Sequence, residues 1–118
     1  MPVQTKSPEE LLPLTPAVFH VLLALAAEER HGYSIMQQVT ETTEGRVKMG
    51  PGTLYGTIKR LLAAKLIEES AERPDPKLDD ERRRYYRLTP FGRRVLGAEV
   101  ARYSSTVKLA QGFGITTA

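Results

Sequence analysis

Residues 50–66, GPGTLYGTIKRLLAAKL, decide the fold of this 118-residue chain. Their apolar side chains recur at intervals of four, three and one residues, which is typical of a helix with one buried face. These side chains are Leu54, Ile58, Leu61 and Leu62. The opposite face carries small and cationic residues, namely Gly56, Lys59, Arg60 and Ala63. Because low bulk and positive charge allow close approach to a polyanion, this pattern predicts a recognition helix for a DNA groove.

Two β-prone segments follow this helix, at residues 66–69 and 84–88, and a polar loop that contains proline separates them. Two strands joined by a long loop directly after a recognition helix form the wing of a winged helix-turn-helix. Residues 68–81 hold seven acidic and two basic side chains, a net charge of −5, whereas the rest of the chain carries +8. Clustered positive charge outside the wing fits a phosphate-binding surface, although it also fits a solvated surface of salt bridges.

Three further helices are predicted around this unit. Thr-Pro pairs at residues 15–16 and 89–90 mark two helix starts, because threonine caps helix N-termini and proline suits the first helical position. Gly32 is expected to end the first helix in the left-handed conformation, and Gly45 is expected to stop the second. The predicted helices cover residues 16–29, 33–43 and 90–111.

The predicted fold class is therefore α+β, mostly α, with a winged helix-turn-helix domain and a C-terminal dimerisation helix. We divide the chain into an N-terminal arm (1–15), the winged helix-turn-helix domain (16–89), the dimerisation helix (90–112) and a tail (113–118).

Two features predict a homodimer. Apolar residues in the final helix recur at intervals of four, three, four and three, the spacing of helices that pack lengthwise on one another. The first helix is apolar on nearly every side, which is more surface than one small domain can cover. The alternative is that the final helix folds back onto its own domain. The predicted dimer interface comprises Phe19, Leu22, Leu96, Val100, Tyr103, Val107 and Ala110.

Composition excludes several other classes of protein. The chain has 41% hydrophobic and 26% charged residues and no cysteine, so disulfides, thiolate catalysis and cysteine-ligated zinc are ruled out. No apolar run approaches the roughly 20 residues that span a bilayer, and no secretory signal is recognisable at the start. No combination of nucleophile, base and acid suggests an enzyme. We expect a cytoplasmic protein that needs no cofactor and no metal.

Four motifs occur in a fixed order along the chain: HGYSI (31–35), PGTLYGTIKRL (51–61), LIEE (66–69) and RRYYRLTPFGR (83–93). In this order and spacing they resemble the PadR family of bacterial transcriptional regulators, over residues 14–96. The resemblance implies a sequence-specific regulator of transcription that dimerises through its C-terminal helix. It most readily suggests a repressor that binds a palindromic operator in double-stranded DNA and is released by a small effector.

The candidate DNA contacts lie on three elements and, for Lys48, on the connector before the recognition helix. Lys59 and Arg60 can reach phosphates or guanine edges, and threonine hydroxyls can bind phosphate near the helix N-terminus. Tyr55 lies at the edge of the buried face, so it either contacts DNA or packs beneath the helix. The second helix is expected to lie across the DNA backbone. At least one side of the arginine run at the base of the wing is expected to face the backbone or the minor groove. The full predicted set is Tyr33, Gln37, Lys48, Thr53, Tyr55, Gly56, Thr57, Lys59, Arg60, Arg82, Arg83 and Arg84.

The resemblance also implies an effector site between the subunits, near the first and last helices. The matching residues are Phe19, Leu23, Val100 and Tyr103, although the sequence favours plain dimer core for them over an effector site. An alternative function has a different basis: the acidic wing would suit a winged-helix module that binds a protein partner and has weak or nonspecific affinity for DNA.

Overall fold

Four α-helices and a three-stranded antiparallel sheet make up residues 7–70 and 84–116, the part of the chain that the structure, a computed structural model, describes. The helices are α1 (Pro16–Ala27), α2 (Gly32–Thr42), α3 (Pro51–Ala63) and α4 (Pro90–Gly112). The strands are β1 (Arg30–His31), β2 (Ile67–Glu69) and β3 (Tyr85–Leu88), and a 3-10 helix covers Pro8–Leu11. The predicted fold class, α+β with mostly helix and a winged helix-turn-helix, is confirmed.

The two Thr-Pro helix starts are confirmed by their hydrogen bonds. The Thr15 hydroxyl accepts a hydrogen bond from the backbone N–H of Val18 at 3.2 Å, and the Thr89 hydroxyl accepts one from Gly92 at 2.9 Å. Each bond satisfies one of the backbone donors that a helix leaves free at its first turn. Both helices therefore begin at the proline that follows the capping threonine.

The prediction that Gly32 ends the first helix is wrong. Helix α1 ends at Ala27, where the Arg30 side chain donates to the carbonyl of Ala24 at 2.9 Å, and Gly32 instead begins α2. His31 caps α2, because its Nδ1 accepts the backbone N–H of Ser34 at 3.0 Å. The intervening strand β1 consists of only two residues and was not predicted.

Strand β3 is the centre of the sheet, whose order is β1-β3-β2. Tyr86 lies opposite Arg30 of β1, and Leu88 lies opposite Ile67 of β2. Tyr86 and Leu88 are buried, whereas Arg87 between them faces outward and contacts Glu68 at 2.8 Å. This alternation places one face of the sheet against the core, as expected of a half-buried strand.

The hydrophobic core is shared by α1, α2, α3, the sheet and the first half of α4. Leu22 and Leu96 belong to this core, since their side chains are 0% and 6% exposed. Their predicted place at the dimer interface is therefore corrected, because both side chains are buried inside the protomer. Phe19 is also mostly buried, with its ring 4.9 Å from the ring of Tyr103.

The first turn of α4 sits directly on the end of α3. The Thr89 hydroxyl donates to the Lys65 carbonyl at 2.6 Å, and its backbone N–H donates to the Leu66 carbonyl at 3.1 Å. A Cβ on Gly92 would lie 1.9 Å from that same Leu66 oxygen. Only glycine leaves room for this contact, which joins the recognition helix, the wing and the last helix.

The arm that precedes α1 is tied to α4 by a buried carboxylate. Glu99 is 0% exposed, accepts the backbone N–H of Leu14 at 2.8 Å, and pairs with Arg102 at 2.5 Å. The hydrogen bond from Arg102 lowers the pKa of Glu99, with a smaller lowering from the Leu14 N–H, and burial opposes both. Among the described residues, no helix is both long and apolar enough to cross a membrane.

We expect Gly92→Ala to lower the free energy of unfolding by about 3 kcal/mol or more, because its Cβ would collide with a backbone oxygen. Gly97 lies in the same helix and has no atom within 4 Å of its Cβ position, so Gly97→Ala should raise stability by about 0.5–1 kcal/mol. Urea unfolding of both variants at one protein concentration measures the two effects. Equal effects would contradict the proposed contact.

Glu99 predicts a pH-dependent term in stability. Because its pKa is lowered in the folded protein, the ionised carboxylate stabilises the fold above the ordinary value of 4.5, and this stabilisation is lost as pH falls through the folded pKa. The difference in unfolding free energy between the wild type and Glu99→Gln should therefore shrink below that pH. Glu41→Gln, on an exposed position of α2, is the control and should show a smaller change.

Candidate nucleic-acid interface

Helices α2 and α3 form the helix-turn-helix, and a hydroxyl organises the turn between them. The Thr43 side chain donates to the carbonyl of Val39 at 2.7 Å and accepts the backbone N–H of Val47 at 3.0 Å. Gly45 has φ +79°, the left-handed conformation that glycine adopts without strain. Helix α2 nevertheless ends at Thr42, before the predicted Gly45, and the first left-handed residue is Glu44 with φ +53°. The N–H of Glu44 donates to the Glu41 carbonyl at 3.2 Å, and the chain then turns toward α3.

The two helices touch closely at Gly32. A Cβ on Gly32 would lie 2.5 Å from the hydroxyl oxygen of Tyr55, so the tyrosine ring rests on the first turn of α2. Tyr55 is half-buried and thus packs against α2 while keeping an exposed edge. Sequence reasoning missed this role of Gly32, although a glycine that follows a capping residue was a signal for close packing.

Helix α3 has the two faces that the sequence predicted. Leu54, Ile58 and Leu61 are buried in the core, and Leu62 is half-buried at its edge. The outer face is exposed at Thr53, Lys59, Arg60 and Ala63, and half-exposed at Gly56. The small residues thus lie outside the core, and the outer surface of this helix is low in bulk.

Thr57 does not belong to this outer face, so its predicted contact with DNA is corrected. Its side chain is 2% exposed and donates to the carbonyl of Thr53 at 2.9 Å. The same hydroxyl accepts a hydrogen bond from Nη2 of Arg60 at 3.2 Å. The physical reason is helical geometry: residue 57 lies three positions after Leu54 and four before Leu61, on the buried face.

The cations of the predicted interface are exposed and have no ion-pair partner among the described residues. They are Lys48, Lys59, Arg60 and Arg84. In contrast, Arg30 pairs with Glu28, Arg87 with Glu68 and Arg102 with Glu99. The positive charge that remains unpaired within this part of the chain therefore includes the outer face of α3, where it can meet phosphates.

The remaining predicted DNA contacts lie at the edges of this surface. Tyr33 is 39% exposed at the first turn of α2, with its ring stacked 6.4 Å from the ring of His31, and Gln37 is exposed one turn later. Arg84 immediately precedes β3 and is exposed. Arg82 and Arg83, together with the rest of the acidic loop (71–83), lie outside the described residues.

A second surface runs along α4. Every residue from 101 to 109 is exposed, including Tyr103 and Val107 of the predicted seam, and Ala110 is half-buried. Val100 of the same seam and Leu23 of α1 are exposed as well. Sequence reasoning missed three further exposed apolar side chains, although apolar residues four apart at a helix end are a usable signal. They are Leu109, Phe113 and Ile115.

Comparison with known proteins identifies the family that this architecture matches. Residues 21–98 match the transcriptional regulator PadR-like family. A 37.1 kDa protein of transposon TN4556 from Streptomyces fradiae is 38% identical over 90 residues, which are 74% of this chain and 24% of that protein. The chain thus spans about a quarter of that relative's length.

Solved structures show the same fold. A PadR family transcription regulator from Clostridium difficile has a TM-score of 0.69 at 24% identity, over 84% of this chain and 98% of that one. A transcriptional regulator from Clostridium thermocellum has a TM-score of 0.64 at 24% identity, over 82% and 88% of the two chains. With the family match covering well over half of its residues, the chain belongs to the PadR-like family of transcriptional regulators.

Proposed function

We propose that this protein is a homodimeric repressor that binds a palindromic operator through α3 and is released by a small effector. The observation that carries the proposal is the outer face of α3, where Lys59 and Arg60 are exposed and unpaired among the described residues beside the small Gly56 and Ala63. In a helix-turn-helix this surface enters the major groove. We place its action in the cytoplasm, where the bacterial chromosome lies.

The proposed dimer rests on the second half of α4. Nine consecutive exposed residues (101–109) in a helix of 23 residues extend past the protomer's own core. Val100, Tyr103 and Val107 are 46%, 37% and 44% exposed and lie on one stripe. Apolar surface of this extent on a regular helix favours a second copy of the same stripe. A two-fold dimer would then present two α3 helices to half-sites about one DNA turn apart.

The proposed effector site is the junction of α1 and α4. Leu23 and Val100 are exposed there, and the ring of Tyr103 meets that of Phe19. An aromatic or amphipathic molecule would find apolar contacts on both helices. Phe19 itself is mostly buried, so it would support Tyr103 from beneath and contribute little open surface.

A second candidate function keeps one observation in its favour. Residues 68–81 carry a net charge of −5, which repels phosphate and would suit a cationic protein partner. In that case the α3 surface would bind DNA weakly and without sequence preference. Operator selection from a random duplex pool separates the two functions, because only the regulator enriches a defined palindrome.

Replacing both Lys59 and Arg60 by alanine should abolish DNA binding at moderate salt. Each dimer would lose four cationic groups, so the slope of log affinity against log salt should fall by about three to four. Fluorescence anisotropy with the promoter upstream of the protein's own gene measures both quantities. Arg94→Ala with Lys108→Ala removes equal charge from exposed positions of α4 and is the matched control. Equal losses in the two variants would reject α3 as the binding surface.

Placing a charge on the α4 stripe should separate the subunits. Val107→Glu would bury two carboxylates near the two-fold axis, so the dimer dissociation constant should rise about 100-fold or more. Sedimentation equilibrium reports the association state directly. Ser105→Glu adds the same charge at an exposed position off the stripe and should remain dimeric. A wild-type protein that is monomeric at micromolar concentration would refute the proposed dimer.

A further inference from the structure

We propose that Thr57 is a positioning residue that orients the Arg60 guanidinium for a fixed, two-point contact with DNA. This inference rests on the proposed function, because it concerns how the α3 surface recognises its target. It gives a role to the one recognition-helix residue that was predicted to contact DNA and lies inside the protein instead. On the DNA, the guanidinium would bind a pair of adjacent hydrogen-bond acceptors, either guanine O6 and N7 or two phosphate oxygens.

The Thr57 hydroxyl is buried and bonded within α3, so it does not itself reach DNA. It donates its one proton to the Thr53 carbonyl at 2.9 Å and accepts Nη2 of Arg60 at 3.2 Å, and the side chain is 2% exposed. A hydroxyl that donates inward has a lone pair fixed in direction. Thr57 therefore offers the arginine a stationary acceptor at the boundary between core and surface.

Arg60 reaches back over the preceding turn of α3, as long helical side chains do. Its Nη1 lies 3.7 Å from the position where a Cβ on Gly56 would stand, so this end of the guanidinium lies over the helix where there is no side chain. A guanidinium has five N–H donors, and the bond to Thr57 uses one. The remaining donors still include an adjacent pair that can form two parallel hydrogen bonds.

Lys59 provides the contrast within the same helix. It is exposed, carries the same charge, and has no hydrogen bond or ion pair to any described residue. A free ammonium acts as a point charge that any phosphate satisfies, whereas a held guanidinium discriminates by geometry. The two adjacent cations of α3 would thus have different roles: Lys59 contributes electrostatic attraction, and Arg60 makes a directed contact.

If Arg60 is already held in the free protein, its side chain loses less conformational entropy when DNA binds. Immobilising a long side chain on binding costs enough to weaken affinity about two- to tenfold. Thr57→Val keeps the β-branched shape and replaces the hydroxyl by a methyl group. The Thr53 carbonyl still accepts its helical N–H, so no buried polar atom is left without a partner. The expected loss is therefore about two- to tenfold in affinity for the selected site, with little change in thermal stability.

The test is a double-mutant cycle measured by anisotropy on a duplex selected with the wild-type protein. Thr57→Val should lose affinity when Arg60 is present and should cost nothing further in the Arg60→Ala background. Thr57→Ser restores the hydroxyl and should bind DNA better than Thr57→Val, although the lost methyl group makes it the less stable fold. If Thr57 served packing alone, affinity would follow stability, and Thr57→Val would bind DNA better than Thr57→Ser.

The outcomes separate cleanly. Loss of base preference at one position in Arg60→Ala assigns the acceptors to guanine, and a uniform loss with a smaller salt slope assigns them to phosphate; both support the inference. Equal losses from Thr57→Val in the two backgrounds, or no loss in either, overturn it while the proposed function stands. Failure of the wild-type protein to select any duplex overturns the proposed function, and the inference with it.

Discussion

The contact between the first turn of α4 and the Leu66 carbonyl is the constraint on which the rest of the structure depends. One oxygen receives the Thr89 N–H and lies where a side chain at Gly92 would begin. The carbonyl follows directly on α3 and leads into β2, while Thr89 connects β3 to α4. A single close approach therefore fixes the recognition helix, both described strands of the wing and the last helix relative to one another. Helices packed this tightly cannot slide without breaking backbone hydrogen bonds.

This junction also divides α4 into two parts with different surroundings. Val95 and Leu96 enter the core just after the junction, and Glu99 closes it by holding the arm at Leu14. Beyond that point the ring of Tyr103 still packs on Phe19, but the helix continues for three further turns with every residue from 101 to 109 exposed. Its N-terminal half is thus fastened to the recognition helix, and its C-terminal half is available to another molecule. Helix α4 thus contributes to both the proposed dimer stripe and the proposed effector site.

Much of this could be predicted from particular residues. The Thr-Pro pairs at 15–16 and 89–90 and the apolar spacing of α3 were sufficient, because caps and helical periodicity act locally. Gly32 and Leu22 were misjudged because their roles depend on what another element brings to them. Thr57 was misjudged for a different reason: its polarity outweighed its position on the buried face. The two-residue strand β1 left no periodic signal at all.

Four threonine hydroxyls are bonded within the fold and are therefore not available to contact DNA. Thr15 and Thr89 cap helices, Thr43 organises the turn, and Thr57 bonds the helix backbone and Arg60. Each hydroxyl is consumed by the fold at a place where a backbone group or a cation needed a partner. The outer face of α3 carries Thr53, small side chains and two cations, and the charge of these cations alone would attract any duplex equally well. In the proposed function, charge supplies affinity, and discrimination between duplexes depends on how rigidly the cations are held.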